Sequence, residues 1–245
     1  HPVWFEQKGG FKRRSNLVYF EAFVEKISNE YGKDLKYIIT LNEPNIYAAF
    51  GYVVEDTSSH HRWPPEEKSI VSFARVYWNL IKAHKKAYRI LKKKHPHLQI
   101  GVALQLGNIQ AKDPHDLMDE LSTKIMRYLW NWWFLRRINR HQDYVGMNYY
   151  FTDYYDSLFE RTDPSAPLSD VGWYMEPEGL YPILVRAWAH FKKPIIVTEN
   201  GVADAQDQYR RWWIEETIVA MERALSQGVD IHGYFHWSLL DNSPI

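Results

Sequence analysis

With 245 residues, 45% of them hydrophobic and 24% charged, the chain has apolar side chains enough for a sizeable core, which excludes a disordered polymer. Its 30 Lys and Arg balance 30 Asp and Glu, so no net field draws it to nucleic acid or an anionic membrane, and a neutral partner is expected. The absence of Cys removes disulfides and thiolate metal ligands and suits a reducing compartment; no apolar run nears the roughly 20 residues of a membrane span, and "HPVWFEQKGG" has no signal-peptide pattern, so a cytoplasmic location is expected.

Helical and strand periods then alternate along the chain. "SNLVYFEAFVEKISNEYGKD" spaces Val18, Phe20, Phe23, Val24 and Ile27 as a helix does, with Ser15 as N-cap and Gly32 as stop. A strand follows at 37–44, an apolar β-branched run ended by Pro44. The next segment reads as a long amphipathic helix on Phe73, Val76, Tyr77, Leu80, Ala87, Tyr88 and Leu91, ending before Pro96. Then come a strand at 100–105, a mainly helical stretch around "IMRYLWNWWFLRRI", and a strand at 143–151. The helix "GLYPILVRAWAHF", a strand at 194–200, the helix "QYRRWWIEETIVAMERALSQG" and a strand at 231–240 complete the order.

The strands are apolar on both faces, as expected where helices cover a parallel sheet. The alternation predicts an α/β fold, barrel or doubly wound, in a single domain over 1–245. A closed eight-stranded barrel needs three more strands than these, so the reading is a smaller β/α fold or part of a barrel.

Two strands share an unusual ending. "YIITLNEPN" and "PIIVTENG" both finish an apolar run with a Glu flanked by Asn, Glu43 and Glu199. The carboxyl ends of parallel strands open on one face, so both would project into one crevice. A single such Glu could equally pair with a neighbouring Arg or Lys; two of matching design weigh against that. Paired carboxylates suit acetal hydrolysis, one protonating the leaving oxygen while the other attacks the anomeric carbon or activates water.

"TLNEPN" and "VTENG" resemble the acid/base and nucleophile signatures of glycoside hydrolase family 1, the β-glucosidase and β-galactosidase family of retaining enzymes on a TIM (β/α)8 barrel. "HPVWFEQKGGF", "WPPEEKS", "VGMNYY", "GWYMEPEGLY" and "GYFHWSLLDN" extend the likeness in the family's order. The resemblance implies Glu43 as general acid/base, Glu199 as nucleophile and Asn42 as the partner of the sugar 2-hydroxyl. It further implies Asn148 and Tyr150 on the sixth barrel strand, with the Tyr hydroxyl on the nucleophile, Trp173 as a platform for the leaving group, and Trp237 under the glycosyl unit. No cofactor or metal is implied; the partner is a small carbohydrate.

Plainer roles stand beside these. Asn148 could cap a strand end, Tyr150 and Trp237 could be core, and "YLWNWWFL" at helical spacing reads as core. The basic run from Lys85 to Lys94 reads as a solvated helix face, and His60 with His61 lacks a third ligand at metal-binding spacing.

Against the family pattern, about five of eight β/α units are recognisable, the first three being absent. Glu55 to His61 looks like an insertion, and Ser243, Pro244 and Ile245 stand where the family has a Phe, a sugar-holding Glu and a Trp. The expected function is a retaining β-glycosidase acting on β-glucosides or related compounds. The alternative is a truncated relative with little activity, serving as scaffold, assembly subunit or sugar-binding module, and transglycosylation would share the same covalent intermediate. Open barrel edges would need covering, by self-association, a complementing chain or another segment.

Overall fold

The computed structural model describes residues 1–54, 64–157, 161–162 and 167–238. His60, His61, the insertion and the terminal departure from the family pattern lie outside these residues. The elements run α1 (Val3–Gln7), α2 (Leu17–Tyr31), β1 (Tyr37–Asn42), α3 (Pro44–Tyr52), α4 (Ile70–Lys94), β2 (Gln99–Gln105), β3 (Asn108–Ala111), α5 (Leu117–Arg127), α6 (Trp133–Ile138), β4 (Val145–Tyr149), β5 (Thr152–Tyr155), β6 (Arg161–Thr162), α7 (Leu180–Phe191), β7 (Ile195–Asn200), α8 (Arg210–Ser226) and β8 (Ile231–His236). A π-helical turn, Tyr128–Trp132, joins α5 to α6. The chain divides into two compact units, His1–Leu104 with Arg137–Tyr144, and Gln105–Arg136 with Val145–Ile245.

In the first unit β1 and β2 pair in parallel, Tyr37 opposite Gln99 and Ile39 opposite Gly101, with a register slip before Asn42. Gly101 is required there, because a Cβ would lie 2.7 Å from the Tyr144 ring. Val24 of α2, Ala87 and Leu91 of α4, Leu98 and Ile100 form one core cluster. The α4 expectation holds: Val76, Tyr77, Leu80, Ala87 and Leu91 are buried, and Ser69 caps the helix by accepting from the Ser72 amide at 3.2 Å.

The α2 expectation needs correction at both its cap and its face. Ser15 is not the cap; the helix begins at Leu17 after a 3-10 turn, and the Asn16 amide is spent on the Lys8 and Gly10 carbonyls. Val18 and Phe23 are exposed while Leu17, Val24 and Ser28 are buried, so the stripe that meets α4 is rotated from the one the apolar pattern suggests.

One buried polar link ties α4 to the sheet. His84 is fully buried, its Nε2 2.7 Å from the His141 carbonyl oxygen and its Nδ1 2.7 Å from the Thr40 hydroxyl. A carbonyl only accepts, so Nε2 carries the proton and Nδ1 accepts from Thr40. Burial, outweighing the His141 hydrogen bond, drives this imidazole down to about 4.

In the second unit β4, β7 and β8 are consecutive parallel neighbours, with Val145 opposite Ile195 and Ile195 opposite Ile231. A separate small sheet, absent from the expected elements, pairs β3 with β5 in parallel and β5 with β6 antiparallel. Its strands are too short to show a period. The "YLWNWWFL" segment is core in part: Trp132, Phe134 and Leu135 are buried, whereas Tyr128 and Leu129 are exposed.

The strand bounds also change. The first stops at Asn42 instead of 44, the 143–151 strand is Val145–Tyr149, and the last described strand ends at His236. Nor are all strands covered on both faces. Tyr37, Ile39 and Phe235 are exposed, because β1 and β8 each pair on one side only among the described residues and alternate instead of burying both faces.

Candidate active site

The sequence-derived residues fall in two groups, Asn42 with Glu43 in the first unit and Asn148, Tyr150, Trp173, Glu199 and Trp237 in the second. In the first, the slip in β1 brings Asn42 opposite Ala103, and the Glu43 amide donates to the Ala103 carbonyl at 2.8 Å, the last sheet bond of the strand. Glu43 then turns left-handed, at φ 45° and ψ 53°, and its carbonyl accepts from the Tyr47 amide to open α3. Pro44 is at home in the first turn of α3, where its missing N–H costs no hydrogen bond and its fixed φ suits the helix. Pro44 therefore starts a helix as well as ending a strand, and a non-glycine residue in the left-handed region at that junction costs on the order of 1 kcal/mol. Such strain marks a residue whose direction the surrounding structure imposes.

In the second group the register of β4 and β7 slips between Met147 and Asn148, setting Asn148 opposite Glu199. Asn148 is buried and its Oδ1 accepts from the Thr198 hydroxyl at 2.6 Å. The Tyr150 hydroxyl donates to Glu199 Oε2 at 2.6 Å. The Trp173 ring lies 5.6 Å from that of Tyr150 and 5.2 Å from that of Phe151, both tilted, so an aromatic wall stands beside the carboxylate.

Behind Glu199 lies a buried anchor. Asn200 is fully buried, and its amide nitrogen donates to the Tyr149 carbonyl at 2.8 Å. Its Oδ1 accepts from the Trp213 indole at 2.9 Å, the Tyr234 hydroxyl at 3.1 Å and the Thr217 hydroxyl at 3.2 Å. One side chain thus joins β4, α8 and β8 at the residue after Glu199. Burial holds the Tyr234 hydroxyl up at about 12, so it stays a donor, while burial and then the Arg210 charge hold His236 below its ordinary value.

Trp237 continues from β8 and is half exposed, its amide donating to the Asn200 carbonyl at 2.8 Å. Gly201 permits this approach, since a Cβ there would fall 1.9 Å from the Trp237 carbonyl oxygen. Sequence reasoning missed Phe151, Asn200 and Gly201 as parts of this site. Asn200 and Gly201 follow Glu199 directly, but their partners are scattered through the chain and leave no spacing to read.

Residues 1–146 and 135–244 match the family model described as glycosyl hydrolase family 1. A β-galactosidase from Sulfolobus acidocaldarius is 29% identical over 98% of this chain and 56% of its own length. A galactolipid galactosyltransferase, SFR2, from Arabidopsis thaliana is 27% identical over 98% of this chain and 40% of its own. The solved β-glycosidase from Pyrococcus horikoshii is 31% identical, with a TM-score of 0.87 over 99% of this chain and 60% of that one. The chain spans about half the length of the relatives it matches, and its fold is that of part of a (β/α)8 barrel. With family signatures and matching fold along almost its whole length, the chain belongs to glycosyl hydrolase family 1.

Proposed function

We propose that the chain carries the catalytic pair of a retaining β-glycosidase within a single catalytic domain. Glu199 attacks the anomeric carbon while Glu43 protonates the departing glycosidic oxygen, leaving the sugar as an ester on Glu199. Glu43 then takes a proton from water, whose oxygen displaces Glu199 and releases the sugar. Such a mechanism needs the two carboxylates about 5–5.5 Å apart. Asn42 holds the sugar 2-hydroxyl, Trp237 underlies the glycosyl unit and Trp173 the leaving group, with Asn148 completing the polar lining. The observation that carries the reading is the Tyr150 hydroxyl on Glu199 Oε2 at 2.6 Å, which fixes one carboxylate oxygen and leaves the other to attack.

The expected substrate is a small β-glucoside or related glycoside, with no cofactor. A cytoplasmic location fits the absence of Cys, and no helix among the described residues is long and apolar enough to cross a membrane. Exposed Ile39 and Phe235 on the outer strands favour a covering partner, either another copy or a chain supplying further β/α units.

The test is hydrolysis of an aryl β-glucoside by the 245-residue chain beside Glu199→Ala and Glu43→Ala. Activity that collapses in both variants supports the reading; activity indifferent to Glu199→Ala refutes it. A folded but inactive parent points to the second reading, a barrel relative that binds or assembles. Because one relative is a galactosyltransferase, the products are also analysed with a sugar acceptor present, which separates transfer from hydrolysis.

A further inference from the structure

Helix α5 and the turn after it are built inside out. Asp119, Ser122 and Thr123 are buried, whereas Leu117 is 85% exposed and Met118, Leu121, Ile125, Tyr128 and Leu129 are 42 to 61% exposed. At 3.6 residues per turn these six apolar side chains share an arc of about 120°, with buried Asp119 and Thr123 on the opposite side and Ser122 at its edge. The helix docks through polar contacts: the Ser122 hydroxyl donates to the Asp156 carbonyl at 2.8 Å and the Arg127 guanidinium to the Ile109 carbonyl at 2.7 Å, while Asp119 Oδ2 accepts from the Asp113 amide at 3.2 Å. Its apolar side is exposed, a placement that hydrophobic burial among these 245 residues does not explain.

We propose that this face is where two copies of the chain associate, α5 against α5, antiparallel about a two-fold axis level with Thr123. The six side chains present roughly 600 Å² of apolar surface, at the top of the range for the largest patch on an ordinary monomer, and two such faces would bury about 1,200 Å², the lower limit of a stable interface. An isologous contact must be self-complementary, and this one is. The axis sets Leu117 level with Leu129, Met118 with Tyr128 and Leu121 with Ile125, apolar against apolar throughout. Charge favours a second copy over an anionic lipid surface. Glu120 and Lys124 beside the arc pair with each other at 3.3 Å, and the Arg127 guanidinium is committed to the Ile109 carbonyl at 2.7 Å. This contact is separate from any covering of β1 or β8.

Sedimentation velocity over a hundredfold concentration range tests it, comparing the parent with Leu121→Lys/Ile125→Lys and with Leu117→Lys. All three positions are exposed, so the variants keep the parent's circular dichroism and, at concentrations where the parent is monomeric, its melting temperature. The expected result is a concentration-dependent dimer in the parent and a monomer in the double variant, with Leu117→Lys weakened at least tenfold. Because the chain has no Cys, Leu121→Cys and Ile125→Cys chains can be mixed and oxidised. In an equimolar mixture the antiparallel pairing expects the mixed disulfide at well over twice either same-variant product, the ratio that unbiased pairing gives. A parent monomeric throughout, association unchanged in the double variant, or a mixed disulfide at no more than the statistical twofold would overturn the proposal. So would a monomeric parent that sediments with phosphatidylcholine vesicles, which would assign the face to lipid.

Discussion

Replacing Asn200 with Ala removes four hydrogen bonds at once, to the Tyr149 carbonyl, the Trp213 indole, the Thr217 hydroxyl and the Tyr234 hydroxyl. Each is worth about 1 kcal/mol net, and the partners have no water to turn to, so the expected loss is about 4 kcal/mol. Against a whole-chain stability of about 5–15 kcal/mol, that brings the variant close to its unfolding threshold. Asn200→Asp gives a sharper test. The aspartate keeps an oxygen for the three donors but sets a second oxygen against the Tyr149 carbonyl, an arrangement that only a protonated carboxyl relieves. The folded state of this variant therefore binds a proton more tightly than the unfolded chain, and its stability relative to the parent rises as pH falls. Urea denaturation followed by tryptophan fluorescence at pH 8 and pH 5 measures both effects. A loss below about 1 kcal/mol in Asn200→Ala, or an Asn200→Asp deficit equal at the two pH values, would refute the anchoring role.

Tyr150→Phe removes a bond of 2.6 Å to a carboxylate, worth about 1.5–3 kcal/mol, so turnover in the proposed reaction should fall about 10- to 150-fold with the melting temperature nearly unchanged. A fall of less than threefold would separate that hydroxyl from the chemistry. His84 is held at about 4 in the folded chain against 6.5 ordinarily, so as pH falls the unfolded chain binds this proton first. The stability concerned is fully present above about pH 6.5 and lost towards pH 4, by about 3 kcal/mol in all, and a parent minus His84→Gln difference that stays constant between pH 7 and pH 5 would contradict this. Gly201→Ala places a methyl 1.9 Å from the Trp237 carbonyl oxygen and should cost about 2 kcal/mol or more while displacing Trp237, read as a lower unfolding midpoint and altered indole emission.

Much of the chain was legible because periodicity is local. The apolar positions of α4 and the apolar runs of β2, β4 and β7 name those elements within a residue or two, and each candidate carboxylate is visible as a polar residue closing an apolar run. The backbone at Glu43 was harder to read. Pro44 reads as a strand stop, yet whether the chain beyond it coils or forms a helix depends on Ala103 accepting the Glu43 amide and on the Tyr47 amide reaching back.

By itself, then, the sequence determined which residues alternate, where runs end, and which side chains bear the chemistry, since propensity and pattern act over a few neighbours. Tertiary structure alone decided which faces are covered. It buried the polar side of α5 and exposed the apolar one, left Ile39 and Phe235 uncovered on outer strands, and gathered Trp213, Thr217 and Tyr234 onto one Asn200 oxygen. A period states that a face is apolar; only the three-dimensional arrangement of distant segments supplies the surface that meets it.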